Sequence, residues 1–318
     1  MKLNSSKLIF LNIINLSTLI SFSVNNWLTM WILMELSLFM FIPLMSKNKV
    51  NDQSMKYFII QSFSSYLFIF SMMMNSIKET RLDTLITLIS LSIKIGLTPF
   101  HIWKPVIMHK LAWEECFLLT TLIKITPMIL INKTISLKLM IPPLIMNLML
   151  GSISGVNQLS LKKMMAFSSI FNLTWMASSF FISKKMFLTF LVMYFLLNFK
   201  IINFFKKNNL MYKNQLLSIN IKSKLSINLS ILSISGIPPL TGFYPKMMIL
   251  SELSKSMMIL PVSMILTSLI SIFMYLQMNT FMFTNFFLKK KNSKLIFFKN
   301  FNSLNLLVFP LMMYIWTN

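Results

Sequence analysis

Residues 84–103 read Thr-Leu-Ile-Thr-Leu-Ile-Ser-Leu-Ser-Ile-Lys94-Ile-Gly96-Leu-Thr-Pro99-Phe-His101-Ile-Trp103, an apolar run that meets a lysine and is then interrupted. Pro99 removes a backbone donor and, with Gly96, forces a break in any helix the run builds. A second stretch has the same construction: Ser235-Gly236-Ile-Pro238-Pro239-Leu-Thr-Gly242-Phe-Tyr-Pro245-Lys246. Irregular backbone at membrane depth survives only where it is buried in protein or borders water. The two breaks, each beside a lysine, therefore point inward rather than to lipid. The other glycines form Gly151-x-x-x-Gly155, a spacing suited to close helix packing.

Outward from these breaks the chain is built for lipid. Of 318 residues 56% are hydrophobic and only 12% charged, with a mean hydropathy of +0.71. A water-soluble domain carries about 25% charge. Apolar windows mark spanning helices at 8–24, 26–46, 56–77, 84–103, 114–132, 138–156, 162–183, 186–205, 226–252, 258–287 and 301–317. The broken runs are the fourth of the first five helices and the fourth of the next five. Matching interruptions in two halves are the pattern of inverted-repeat transporters. The expectation is an all-α membrane protein of about eleven transmembrane helices forming one polytopic domain over 1–318. Two inverted five-helix repeats (8–132 and 138–287) precede a C-terminal helix at 301–317.

The charge balance is one-sided, with 30 Lys+Arg against 7 Asp+Glu and a net charge of +23. The lysines punctuate apolar runs instead of forming one stripe, which argues against nucleic acid. Abundant Lys, Asn, Ile, Phe and Met with scarce Gly and Ala fit a gene drifting toward A and T. Most basic residues fall at the amino terminus and in the even-numbered connections, which puts the N-terminus on the matrix or cytoplasmic side and the C-terminus opposite. With Cys116 the single cysteine and His101 and His109 the only histidines, a disulfide, a cysteine-bound cluster, a haem and a metal site are not expected. No cleavable signal or Arg-rich transit peptide is read ahead of the first apolar run.

Four ionisable residues stand in the wrong solvent: Glu35, Lys94 and Lys124 near the midpoints of their runs, and Lys246 just past the second break. A charge at the bilayer centre costs at least ~2.5–3.5 kcal/mol. One reading is a static Glu35–Lys94 pair with the other lysines reaching for an interface. The other is a proton relay: burial disfavours an ammonium and a nearby carboxylate restores it, so moving the carboxylate toggles the proton. His101, Pro99, Pro238 and Pro239 belong to the breaks that support these lysines, and Pro127 can loosen the helix after Lys124. Ser168, Ser169 and Asn172 lie a helical turn apart and can either hold a file of water or join helices.

The order of motifs resembles a known family. Trp27-Leu-Thr-Met-Trp31-Ile-Leu-Met-Glu35 with Phe-Ile-Pro43-Leu-Met, Lys56-Tyr57-Phe58-Ile-Ile-Gln61, Lys94 through Trp103, Lys124-Ile-Thr-Pro127, Gly155-Val-Asn157-Gln158 through Ser169, and Gly236-Ile-Pro238-Pro239 through Lys246 are similar to the subunit 2 family of mitochondrial NADH dehydrogenase. The resemblance runs from about residue 25 to 255; beyond 258 only hydrophobicity matches. It implies an antiporter-like membrane subunit of respiratory complex I, in the mitochondrial inner membrane. Glu35, Lys94, Lys124 and Lys246 would be its proton path, driven at a distance by quinone reduction. Partners would be other membrane-arm and accessory subunits and phospholipids such as cardiolipin. This chain would hold no cofactor, with NADH, FMN, iron–sulfur clusters and ubiquinone bound elsewhere in the complex. Two positions depart from the pattern: Asn172 stands where relatives often carry His, and Lys104 is unusually basic for its place.

Two other functions fit the same helix plan. A self-sufficient cation/proton antiporter would need more buried carboxylates than Glu35, and a scaffold subunit would not need the lysines at all.

Overall fold

The helix Ser5–Ser23 (α1) buries Ser17, Thr18 and Ser21 and exposes Leu16, Leu19, Ile20 and Phe22. That is the reverse of a helix in a water-soluble protein, and in the computed structural model of the chain two more helices repeat it. Asn51–Ile77 (α3) buries Gln61, Ser64 and Ser71 and exposes Ile59, Phe63, Tyr66 and Phe70. Ile259–Leu288 (α13) buries Thr267, Ser271 and Asn279 and exposes Ile265, Leu269 and Phe273. Apolar side chains gain nothing by leaving hydrocarbon, so packing and interhelical polar contacts decide which face turns inward.

The structure describes residues 5–46, 51–77, 81–219, 221–238 and 240–288. Between these α-helices the order is completed by α2 (Trp27–Ser46), α4 (Arg81–Ile95), α5 (Trp103–Lys110), α6 (Trp113–Thr120), α7 (Ile125–Thr134), α8 (Leu137–Val156), α9 (Leu161–Ile182), α10 (Lys184–Lys207), α11 (Ile221–Ser235) and α12 (Phe243–Ser256). Short 3₁₀ turns cover Leu122–Lys124 and Lys213–Ser218. Among the described residues seven helices are long and apolar enough to cross a membrane: α1, α2, α3, α8, α9, α10 and α13. The expected run at 301–317 lies outside the described residues, as does Pro239.

The remaining apolar runs are interrupted. The run at 84–103 stops as helix at Ile95 and resumes at Trp103; that at 226–252 stops at Ser235 and resumes at Phe243. The run at 114–132 also breaks, but not where Pro127 suggested. Its interruption falls earlier, at Thr121 and the 3₁₀ turn Leu122–Lys124. Pro127 instead occupies the first turn of α7, where a missing N–H would have had no intrahelical partner.

The chain divides into two compact units, residues 1–147 and 148–318. In the first, α2 packs on α1, α3 and α7, and α4 on α3 and α7. In the second, α9 packs on α10 and α12, and α11 on α10 and α13. Nineteen of the 22 residues of α9 are buried, so its serines, Asn172 and Thr174 are sheathed by protein rather than lipid.

Gly151 and Gly155 both serve close approach, with unequal stakes. A Cβ on Gly151 would come within 2.9 Å of the backbone nitrogen of Phe171 in α9, whereas one on Gly155 would overlap only the sulfur end of Met274. Met274 can swing aside; a helix backbone cannot. Gly151→Ala is expected to lower stability by about 1–3 kcal/mol and Gly155→Ala by less than half of that, read as thermal unfolding midpoints in detergent.

Candidate functional site

Both principal breaks begin with the same cap. At the first, the N–H groups of Gly96 and Leu97 both reach the Ser92 carbonyl, and Gly96 has φ of +78°. At the second, those of Gly236 and Ile237 reach the Leu232 carbonyl, and Gly236 has φ of +85°. A left-handed residue after the last helical turn needs glycine because a Cβ there meets the following carbonyl. Each new helix begins at the seventh residue after its glycine, Trp103 and Phe243.

The breaks free helix carbonyls, and what takes them differs. At the end of α4 the indole Nε1 of Trp103 donates to the Ile93 carbonyl at 3.2 Å, and the Gln61 amide donates to that of Lys94 at 3.3 Å. Neutral donors cap the helix end, so the Lys94 ammonium is left for another partner. It donates to Glu35 Oε1 at 2.8 Å, with side-chain exposures of 3% for Lys94 and 14% for Glu35. Tyr57 stacks edge-on to Phe41 at 5.4 Å and tilts against Trp103 at 5.9 Å, closing aromatic rings around the break. Burying this pair costs both ions their water, so its stability depends on neither partner being lost.

At the second break the lysine itself is the cap. Lys246 Nζ donates to the carbonyls of Ile234 at 2.8 Å and Ser235 at 2.9 Å. It also lies 5.5 Å from the ring centre of Trp175 and 5.9 Å from that of Phe171, both on α9. Carbonyl dipoles at a helix C-terminus and aromatic faces both favour a cation. Gly236 makes the room, since a Cβ there would stand 3.1 Å from Nζ. Beside Nζ is a cavity of about 20 Å³ bordered by Asn172, Tyr194 and Ser233. A water needs roughly 10–15 Å³ on this scale.

The structure thus joins Glu35 to Lys94 and places Lys246 in the second unit among carbonyls and rings. Lys124, buried in its 3₁₀ turn, meets Lys104, which lies one residue past the apolar run at 84–103. Lys104 is 0% exposed, and its stem passes 3.5 Å from where a Gly96 Cβ would be. Its depth was hidden because Lys104 sits past the break, where hydropathy no longer registers a span. The neutral caps Gln61 and Trp103 were likewise missed; the signal available for each was a polar atom on an apolar run next to a break.

The supporting residues separate into two groups. Pro99 and Pro238 are exposed, and the half-exposed ring of His101 lies against the Pro99 backbone. The buried Ser168 and Ser169 hydroxyls donate to carbonyls of their own helix, Met165 and Ala166. Of Ser168, Ser169 and Asn172, it is Asn172 that borders the cavity, and the Tyr275 phenol lies against Ser168 and Asn172.

Comparison with known proteins places these features in context. Residues 24–273 match the family described as NADH:quinone oxidoreductase/Mrp antiporter, TM. NADH-ubiquinone oxidoreductase chain 2 of Anopheles gambiae is 35% identical, over 96% of this chain and 97% of that protein. The Locusta migratoria protein of the same name is 33% identical, over 87% and 85%. Among solved structures, a chain of respiratory complex I from Thermus thermophilus with bound aureothin superposes with a TM-score of 0.80 at 17% identity, covering 88% of this chain and 71% of that one. A chain of the Mrp complex from Dietzia sp. DQ12-45-1b does so at 0.72 and 13%, covering 86% and 59%.

Proposed function

Because the chain belongs to the NADH:quinone oxidoreductase/Mrp antiporter family, we propose that it is a proton-translocating membrane subunit of respiratory NADH–ubiquinone oxidoreductase, complex I. The observation that carries this reading is the buried 2.8 Å contact of Lys94 with Glu35 at a capped helix break. Lys94 holds a proton while Glu35 is near and releases it when the carboxylate withdraws. Lys124 and Lys246 continue the path, with the cavity beside Lys246 holding a water that relays the proton. Quinone reduction elsewhere in the complex supplies the driving force; this subunit holds no redox centre of its own.

The same proposal covers the arrangement in the membrane. About eleven helices form two inverted repeats, and the like construction of the Gly96 and Gly236 caps supports that reading. The N-terminus faces the matrix, the C-terminus the intermembrane side, in the mitochondrial inner membrane. The inverted outer faces contact other membrane-arm and accessory subunits and phospholipids such as cardiolipin.

The test uses the assembled enzyme in sealed vesicles, following NADH oxidation and the proton gradient together. Lys94→Met and Lys124→Met, each in enzyme shown to assemble, are expected to cut proton transfer by at least about tenfold, a floor beneath the roughly 10²–10⁴-fold that a positioned acid–base group contributes. A gradient at the wild-type level per NADH oxidised in both variants would mean that the subunit only spaces its neighbours, and would overturn the proposal.

A further inference from the structure

We propose that Lys104 is a second proton-carrying residue at the station of Lys124, the two side chains holding one proton between them and exchanging it. The inference rests on the proton-carrying reading of Lys124 given above and adds a residue that reading did not include.

Three observations carry it. Lys104 and Lys124 are both buried, and their two amino groups meet. The Lys104 amino group has no acceptor among the oxygens of the described residues. Its stem runs over Gly96, two residues beyond Lys94, so one side chain extends from the Lys94 break to Lys124.

The chemistry follows from counting lone pairs. An ammonium carries three donors and no acceptor, so two of them side by side can only repel. Remove one proton and the neutral amine offers a lone pair that accepts from its neighbour. The contact is stable only with one proton fewer than two. Transfer then breaks one N–H bond on Lys104 and forms one on Lys124, leaving the pair's total charge unchanged and needing no other reactant. Two buried like groups share a site in this way because both charges together are prohibitive.

A fixed positive charge or simple packing at Lys104 would give different results from this exchange. Arginine stays protonated, so it supplies charge without the neutral state; methionine supplies volume without charge. In the assembled enzyme in sealed vesicles, Lys104→Met and Lys104→Arg are both expected to lower proton transfer per NADH oxidised by at least about tenfold. Recovery of wild-type transfer by Lys104→Arg overturns the exchange in favour of a fixed charge; wild-type transfer by Lys104→Met overturns any proton-carrying role. Where Lys104→Met does not assemble, Lys104→Gln, which is polar but takes up no proton, is read in its place with the same two outcomes. Lys124→Met measured alongside separates this inference from the one beneath it. If Lys124→Met loses transfer and Lys104→Met does not, only the role of Lys104 fails; if Lys124→Met itself transfers normally, the role of Lys124 fails and this inference with it.

Discussion

Glu35→Ala is expected to destabilise the chain by about 3–5 kcal/mol, the usual cost of removing one member of a buried ion pair. Lys94 has 3% of its side chain exposed, and Glu35 Oε1 is the oxygen its ammonium holds. Without that oxygen, the charge stays in a low-dielectric setting unpaired or gives up its proton. The nearby helix carbonyls of Ile93 and Lys94 are already taken by Trp103 and Gln61. The double variant Glu35→Ala/Lys94→Met should recover most of the stability, because two neutral groups leave no orphan charge, yet it should not recover proton transfer. Detergent-phase thermal unfolding and vesicle pumping, measured on the same preparations, separate the two effects. Equal stability of the single and double variants would show that the pair is not the source of the penalty.

Gly242→Ala should be more damaging than its modest chemistry suggests. The residue has φ of −72° and ψ of −13°, ordinary helical values, so its backbone imposes no need for glycine. Space does. A Cβ there would overlap the Ser233 carbonyl oxygen and stand 2.7 Å from the carbonyl carbon, and both belong to the backbone of α11. Relief requires moving α12 off α11, which would pull Lys246 from the carbonyls of Ile234 and Ser235. A loss of about 3 kcal/mol or more is expected, the upper range for overpacking, seen as failure of the folded chain to accumulate. Gly236→Ala should cost less: left-handed strain is worth about 1–2 kcal/mol, and the atoms its Cβ would press, Cδ and Nζ of Lys246, end a flexible side chain. A reversed order of the two variants would mean that the approach of α12 to α11 is looser than described.

Much of this was legible from residue types and spacing. Hydropathy places the uninterrupted helices to within a few residues, because a span is a property of local sequence. Glycine beside proline locates the breaks at 96 and 236 for the same reason. The third break was displaced: Pro127 is the visible signal, but proline in a first helical turn costs nothing, and the interruption formed upstream at Thr121–Lys124. Lys104 lies one residue past its apolar run, and charge alone does not report its depth.

Local sequence therefore determined that lysines lie deep in an apolar chain and that two of them adjoin broken helices. Only the packing of helices decided what each lysine meets: a carboxylate 59 residues away for Lys94, another amine for Lys124, bare carbonyls and two rings for Lys246. The reason is physical. Burying an ion is a cost set where the residue sits in the chain, but the group that offsets it is chosen by which helix faces turn toward one another.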